Sequence, residues 1–142
     1  MSLPATNERV TSNTDQGVNN RIRCLMEGRV LYYSRHPGEI DDRLAELDRE
    51  WDIERAIEMN ASILALSGTL LGLRDRRFLL LPLVVGGFLL QHALQGWCPP
   101  VPVLRRFGFR TRGEIEAERH ALKALRGDFG PPPGVDRILG AV

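Results

Sequence analysis

The feature that most constrains this chain is a long middle region with almost no charge. Across residues 59–104 the only charged side chains are the four of the sequence RDRR at positions 74–77. The residues on either side are densely charged, so the near-neutral mean hydropathy of −0.18 hides one very apolar region. A chain of 142 residues has room for one modest core, and the placement of this region therefore decides the fold class.

Two apolar segments flank the RDRR sequence. Residues 59–73 (MNASILALSGTLLGL) carry no charge over 15 positions, and residues 78–95 (FLLLPLVVGGFLLQHALQ) carry none over 18. A membrane-spanning helix needs about 20 apolar residues, with roughly 17 as the lower limit. The second segment therefore qualifies, whereas the first is short unless it also includes Ala56 and Ile57.

Helices that are apolar on every side must be buried on every side, and the charged arms of this chain have few apolar residues with which to cover two of them. We therefore expect an all-α fold in which residues 58–104 form a two-helix membrane hairpin with flanking amphipathic helices. Membrane lipids are then the first expected partner. A soluble helical bundle that buries the same two segments is the alternative.

Small residues recur at helical spacing along the first apolar segment, and a glycine pair stands in the second. In water, a glycine inside a helix costs about 1 kcal/mol relative to alanine, whereas in a bilayer it lets two helix backbones approach closely. The spacing therefore predicts a helix-packing face, for which chance occurrence of G-x-x-x-G is the competing explanation. The predicted packing residues are Ala61, Ala65, Gly68, Gly72, Gly86 and Gly87.

The N-terminal part of the chain divides into a polar tail and an amphipathic arm. Residues 1–20 contain no apolar segment and are predicted to be disordered on their own. Residues 21–57 show helical periodicity and are predicted to form a helical arm. One apolar stripe in this arm stands among many charges and is expected to dock a partner subunit or a second copy of the chain. Its residues are Ile40, Leu44, Leu47 and Trp51.

The region after the second apolar segment combines a helix break, aromatic residues and arginines. The sequence GWCPPVP at 96–102 should end the second helix, because prolines cannot continue it. Residues 105–127 are predicted to hold an interfacial segment and a helix that begins at a T-x-x-E capping box on Thr111, and residues 128–142 a Pro/Gly-rich tail. The expected membrane-interface residues are Trp97, Arg105, Arg106, Phe107 and Phe109.

Two residues near the end of the second apolar segment are candidates for chemistry. Cys98 and His92 could serve a redox, sulfur-handling, haem or metal site, but a helix boundary and the polarity of a membrane interface explain them more simply. Cys98 and Cys24 stand far apart and match no metal-binding spacing, which suits a reducing compartment.

The other chemical signals point away from catalysis. The carboxylates of Glu114, Glu116 and Glu118 are assigned to a solvated helix face. No hydrolase, metalloprotease, nucleotide-binding or dinucleotide-binding motif occurs, so we expect no catalytic residue, cofactor, metal or small-molecule substrate. The net charge of +1 gives no reason to expect a nucleic-acid partner.

An apolar helix with small residues, a short charged turn, a second apolar helix and then the sequence G-x-C-P resemble the YgaP-like inner-membrane domain. That domain is a small bacterial module, sometimes fused to a rhodanese domain. The resemblance covers residues 56–108, and its most specific positions are Gly96, Cys98 and Pro99. It implies a two-helix membrane hairpin able to dimerise through its helices, and it carries over no catalytic residue. The long charged arms depart from the family and indicate a soluble docking surface.

Taken together, the patterns predict a non-enzymatic accessory or scaffolding subunit of the bacterial inner membrane that forms a homo-oligomer or joins a larger membrane protein complex. Both termini are expected in the cytoplasm, because six flanking arginines outnumber the three in the turn. A redox, sulfur-handling or haem- or metal-binding membrane protein that uses Cys98 and His92 is the first alternative. A soluble helical-bundle regulator is the second.

Overall fold

The computed structural model of the chain describes residues 8–131 and 134–140. Every regular element within these ranges is a helix, which confirms the predicted all-α class. Short 3-10 turns lie at Thr11–Asn13, Pro37–Glu39 and Arg76–Leu79. The α-helices are α1 (Gln16–Arg35), α2 (Ile40–Arg49), α3 (Ile53–Gly72), α4 (Leu80–Gln95), α5 (Pro100–Arg106), α6 (Arg112–Arg126) and α7 (Val135–Leu139).

The chain forms two compact units. Unit 1 comprises Met1–Asp15 and Ile53–Phe109, and unit 2 comprises Gln16–Asp52 and Arg110–Val142. These units replace the five consecutive segments predicted from the sequence, and each has its own apolar clusters in place of the single expected core. The reason is that each unit joins two stretches that are distant in sequence, and periodicity along the chain carries no information about such pairing.

In unit 2, α2 and α6 pack their apolar stripes against each other. Burial of both stripes corrects the prediction that the α2 stripe docks a partner, because α6 of the same chain already covers it. Trp51, which follows α2, is 39% exposed. The buried residues of this cluster are Ile40, Leu44, Leu47, Ile115 and Leu122.

The C-terminal part of unit 2 also contains a packed helix. Ile138 of α7 is 5% exposed and lies in a cluster with Val30 of α1 and Ala121 of α6. The predicted Pro/Gly-rich tail at residues 128–142 therefore includes a short helix, whose one buried isoleucine is a weaker signal than a full amphipathic stripe.

The helix α6 begins at the predicted capping box. The hydroxyl of Thr111 accepts a hydrogen bond from the backbone N–H of Glu114 at 3.2 Å, and the carboxylate of Glu114 accepts one from the N–H of Thr111 at 2.8 Å. These reciprocal bonds satisfy two amides that the helix itself leaves without partners. The capping-box prediction is confirmed.

In unit 1, α3 and α4 pack against each other through the glycine face of α3, and we call them the α3–α4 pair. A Cβ atom added at Gly68 would lie 2.7 Å from Cδ of Pro82 and 2.9 Å from Cβ of Leu81. A Cβ atom at Gly72 would collide with the side chain of Leu79. Contact this close requires residues without a side chain, as in the packing of small-residue helices in membranes.

The N-terminal stretch belongs to the core of unit 1. Val10 is 2% exposed, and the side-chain amide of Asn13 donates to the backbone carbonyl of Gln95 at 2.8 Å. The predicted disorder is therefore corrected for residues 8–20, because Val10 enters an apolar cluster of unit 1 and residues 16–20 begin α1 of unit 2. Residues 1–7 lie outside the described residues. The buried residues of this cluster are Val10, Ile53, Ile57, Cys98 and Val101.

A glycine ends α4 within the GWCPPVP sequence. Gly96 has a φ angle of 73°, and its N–H donates to the carbonyl of His92 at 2.8 Å. A Cβ atom on Gly96 would also collide with the backbone of Arg9. The break is where the sequence predicts it, but the following prolines begin α5, because a proline at the first turn leaves no amide donor without a partner.

Candidate functional site

The α3–α4 pair exposes an unusually large number of apolar side chains. Leu66, Leu70 and Leu83 are 65%, 66% and 71% exposed. Large contiguous apolar patches are rare on soluble monomers and mark membrane or protein contacts. The other strongly exposed apolar residues of the pair and its connecting turn are Met59, Ile63, Leu64, Leu71, Leu73, Phe78, Leu79, Leu80, Val84, Phe88, Leu90 and Leu94.

One helical stretch in the described part of the chain, Arg76–Gln95, is long and apolar enough to cross a membrane. Only 6% of it is buried, whereas the core helix of a soluble protein would be mostly covered. α3 is not apolar enough over such a length, because its first turns carry Glu54, Arg55 and Glu58. This agrees with the sequence, where the first apolar segment is the shorter one.

The predicted interface residues fall into two environments. Phe107 is 80% exposed, Arg106 is exposed, and Trp97 is half-buried, as residues at a boundary can be. Arg105 is only 1% exposed, and its guanidinium donates to the carbonyl of Phe109 at 3.2 Å. The interface assignment of Arg105 is therefore corrected, because this cation is held inside the unit. Phe109 packs against the core of unit 1 and is half-buried.

The six predicted packing residues also fall into two groups, one on α4 and one on α3. Gly86 and Gly87 of α4 face open space, because a Cβ atom added at either position would have no neighbouring atom within 4 Å. They take no part in packing within unit 1. The other four predicted packing residues lie on α3 and are buried or half-buried. They are Ala61, Ala65, Gly68 and Gly72.

A polar cavity of about 170 Å³ lies where α3 begins and α4 ends. His92, which is 7% exposed, lines it together with Arg9, Glu54 and Glu58. Both ring nitrogens of His92 are buried and have no hydrogen-bond partner in the protein. The sequence singles out His92 but not the other three residues, because they come from a separate helix and from a stretch that precedes it by about forty residues.

Cys98 does not share that polar cavity. Its side chain is 3% exposed and lies in the apolar cluster of unit 1, and Cys24 is an exposed residue of α1 in unit 2. A cysteine buried in apolar surroundings is normally unreactive, because reactivity needs access and a stabilised thiolate. Within the described residues, no group of three His, Cys, Asp or Glu side chains is arranged to hold a metal ion.

Unit 2 contains a buried carboxylate at a position where the sequence predicts an exposed one. Glu118 is 0% exposed, whereas the run of glutamates on α6 predicts a solvated face. Its Oε1 accepts a hydrogen bond from Nε of Arg43 at 2.9 Å, and its Oε2 accepts from Arg110 and lies 3.5 Å from the guanidinium of Arg29. A buried charge is tolerated only when it is paired in this way.

The signal for this burial is present in the helical spacing. Glu118 follows Ile115 by three positions and precedes Leu122 by four, so it stands inside the apolar stripe of α6. The periodicity therefore places Glu118 on the inner face, although its residue type suggests the outer face. The cluster has no ligand-binding geometry of its own and holds α1, α2 and α6 together.

Glu50 completes this cluster through Arg110. Nε and Nη2 of Arg110 donate to the two carboxylate oxygens of Glu50 at 2.8 and 2.6 Å. Burial alone would raise the pKa of Glu50, but the hydrogen bonds and charge of Arg110 and the charge of Arg43 outweigh it, so the pKa lies below its ordinary value of 4.5. Burial alone would likewise lower the pKa of Arg110, and its contacts with Glu50 and Glu118 raise it instead.

We expect unit 2 to lose stability in acid in a way that depends on Glu50. Because its pKa is lower in the folded unit, Glu50 stabilises the fold above pH 4.5, and this contribution disappears as the pH falls toward the folded pKa. The urea midpoint of Trp51 fluorescence, followed in a Trp97→Phe background, should therefore fall below pH 4.5 in the parent. A Glu50→Gln variant should show a lower midpoint at pH 7 and a smaller fall in acid. An equal acid dependence in both proteins would contradict the assignment.

No family model, curated protein or solved structure matches this chain, so its resemblance to the YgaP-like domain stays a prediction.

Proposed function

We propose that this chain is a non-enzymatic accessory subunit of the bacterial inner membrane. The α3–α4 pair inserts into the bilayer as a hairpin, and unit 2 remains in the aqueous phase as a charged headpiece. The observation that carries the proposal is the band of exposed leucines on the pair, of which Leu83 is 71% exposed. Burying such a surface in hydrocarbon is favourable by about 25 cal/mol for each Å² removed from water.

The properties of unit 2 support an aqueous headpiece. Its apolar stripes are covered by its own helices, and ion pairs such as those of Arg119 with Asp48 and Arg126 with Asp41 lie on its surface. Exposed ion pairs of this kind contribute little stability, but they keep a surface soluble. Unit 2 is therefore suited to water, whereas the α3–α4 pair is not.

Two further features favour an inserted and oligomeric hairpin. Three exposed arginines lie in the turn between the helices, where the carboxylate of Asp75 accepts from the N–H of Arg77 at 3.0 Å, and arginines at this position can contact lipid phosphates. Gly86 and Gly87 leave a flat face on α4 that another helix can approach closely. We propose that a second copy of the chain packs there.

A single aspartate on the exposed face of α4 should weaken insertion of the hairpin into membranes. Leu83→Asp places a charge near the middle of the apolar stretch, which costs about 3 kcal/mol at the centre of a membrane helix. The parent is expected to stay with the membrane fraction through high-salt and alkaline washes, and a larger fraction of Leu83→Asp than of the parent should appear in the soluble or aggregated fractions.

Leu25→Asp is the matched control for this experiment, because Leu25 is 51% exposed on α1 of unit 2. It should fractionate like the parent. Recovery of the parent in the soluble fraction after a high-salt wash would overturn the proposal in favour of a soluble helical bundle.

A further inference from the structure

The polar cavity at the base of the α3–α4 pair gathers unpartnered polar atoms. Among the described residues, seven buried side-chain nitrogen or oxygen atoms have no hydrogen-bond partner, and four of them belong to residues that line this one cavity. They are Nε of Arg9, Oε2 of Glu54 and both ring nitrogens of His92. Buried polar groups are almost always paired, so their concentration here indicates a ligand.

The charges around the cavity define the chemistry of that ligand. Arg9 donates through Nη1 to the carbonyl of Ala93 at 3.0 Å, which fixes the guanidinium, and its buried Nε has no hydrogen-bond partner. Glu54 and Glu58 bring negative charge to the same space, and His92 offers a donor and an acceptor. A ligand that carries both an anion and a primary ammonium group would match all four side chains.

The position of the cavity points to an amphiphile. Glu54 and Glu58 lie in the first turns of α3 and His92 in the last turn of α4, at the opposite end of the pair from the turn at residues 74–77, and Arg9 of the N-terminal stretch joins them there. Ile57 and Leu89 also line a second, almost wholly apolar groove of about 270 Å³ between the two helices. A headgroup in the polar cavity would therefore have space for an acyl chain next to it.

We propose that this cavity binds a phospholipid with a primary amine headgroup, with the ammonium group on Glu54 and Glu58 and the phosphate on Arg9 and His92. This inference rests on the proposed membrane function, because it places the cavity at headgroup level. Phosphatidylethanolamine has the required groups. Phosphatidylcholine has the same phosphate but no N–H donor, and phosphatidylglycerol has no cation.

The test is lipid binding by the full chain in a non-ionic detergent. Native mass spectrometry would measure occupancy by phosphatidylethanolamine, phosphatidylcholine and phosphatidylglycerol added at equal concentration. We expect phosphatidylethanolamine to bind about tenfold more tightly than either of the others, since one charge-assisted hydrogen bond is worth about a factor of ten. Equal occupancy by the three lipids would overturn the inference.

Variants of the cavity residues test whether the preference for phosphatidylethanolamine arises in the polar cavity. Glu54→Gln keeps the shape of the side chain and should remove most of the preference for phosphatidylethanolamine, whereas Arg9→Gln should weaken binding of all three lipids. Glu46→Gln, on an exposed carboxylate of unit 2, should leave both properties unchanged. Circular dichroism of each variant should show the same helix content as the parent. A preference that survives Glu54→Gln would place the lipid elsewhere and overturn the assignment.

A water-soluble competitor separates a lipid from a soluble ligand. Free phosphoethanolamine should displace the lipid only at concentrations at least a hundredfold higher, because it lacks an acyl chain for the apolar groove. Displacement at equal concentration would overturn the lipid assignment in favour of a soluble ligand. A chain that fractionates with membranes but binds the three lipids equally would refute this inference and leave the proposed function standing.

Discussion

Glu118→Ala is expected to lower the free energy of unfolding of unit 2 by about 3–5 kcal/mol, the usual cost of removing one partner from a buried ion cluster. The substitution removes the fully buried carboxylate that pairs with Arg43 and Arg110 and leaves Glu50 as their shared partner. The two guanidiniums lie on different segments of the unit. A domain of this size has roughly 5–15 kcal/mol of stability, so the substitution should remove a large share of it.

Amide hydrogen exchange measured by mass spectrometry would check this result segment by segment. Peptides from α2 and α6 should lose most of their protection in Glu118→Ala. The control is Glu116→Ala on the same helix, where the carboxylate is 54% exposed and its pair with Arg119 at 3.3 Å should be worth less than about 1 kcal/mol. Equal protection in the two variants would show that the buried cluster does not hold the unit together.

The double variant Gly68→Ile with Gly72→Ile is expected to destabilise the α3–α4 pair by roughly 4 kcal/mol. Overfilling a packed site costs about 1–3 kcal/mol, and here two adjacent sites are filled against Pro82, Leu81 and Leu79. The measurement is hydrogen exchange of α3 and α4 in mild detergent, where protection should fall in both helices.

Gly86→Ile with Gly87→Ile is the matched double control, since it makes the same chemical change in a helix where the added atoms meet open space. Protection of α3 and α4 should not fall in this variant. We propose that a second copy of the chain packs on the face of α4 that carries Gly86 and Gly87. The mass of this variant, measured by light scattering, should therefore decrease toward that of the monomer. Loss of protection in the control equal to that of the α3 variant would show that helix-interior substitution, and not close packing, is responsible.

The sequence predicts the features of this fold that depend on neighbours along the chain. The capping box of α6 requires only Thr111 and Glu114, three positions apart, and the break after α4 requires only Gly96 and the prolines. The glycine face of α3 is predictable for the same reason. Gly68 and Gly72 are about one helical turn apart, so their spacing alone places them on one face, whichever residues pack against it.

The features that the sequence does not predict depend on partners distant in the chain. Ile40 of α2 is an exposed docking residue or a core residue according to whether Ile115, 75 positions later, covers it. The spacing of α6 places Glu118 in the apolar stripe, but the arginines of α1 and α2 that neutralise it come from distant positions. Val10 enters a core that residues 53–101 provide. A single sequence does not show which distant segments pack together, and the burial and pairing of these residues depend on that packing.

The interleaving of the two units constrains the order in which this protein can mature on the ribosome. α1 and α2 are synthesised first, but their partner α6 follows α3 and α4, so the core of unit 2 cannot close until the apolar pair has left the exit tunnel. During that interval the leucines of α3 and α4 are available to membrane-targeting factors while unit 2 is still open. The proposed insertion of the hairpin would therefore precede closure of the headpiece. Nor can truncation at a single point yield either unit alone, since each unit consists of two stretches separated by part of the other.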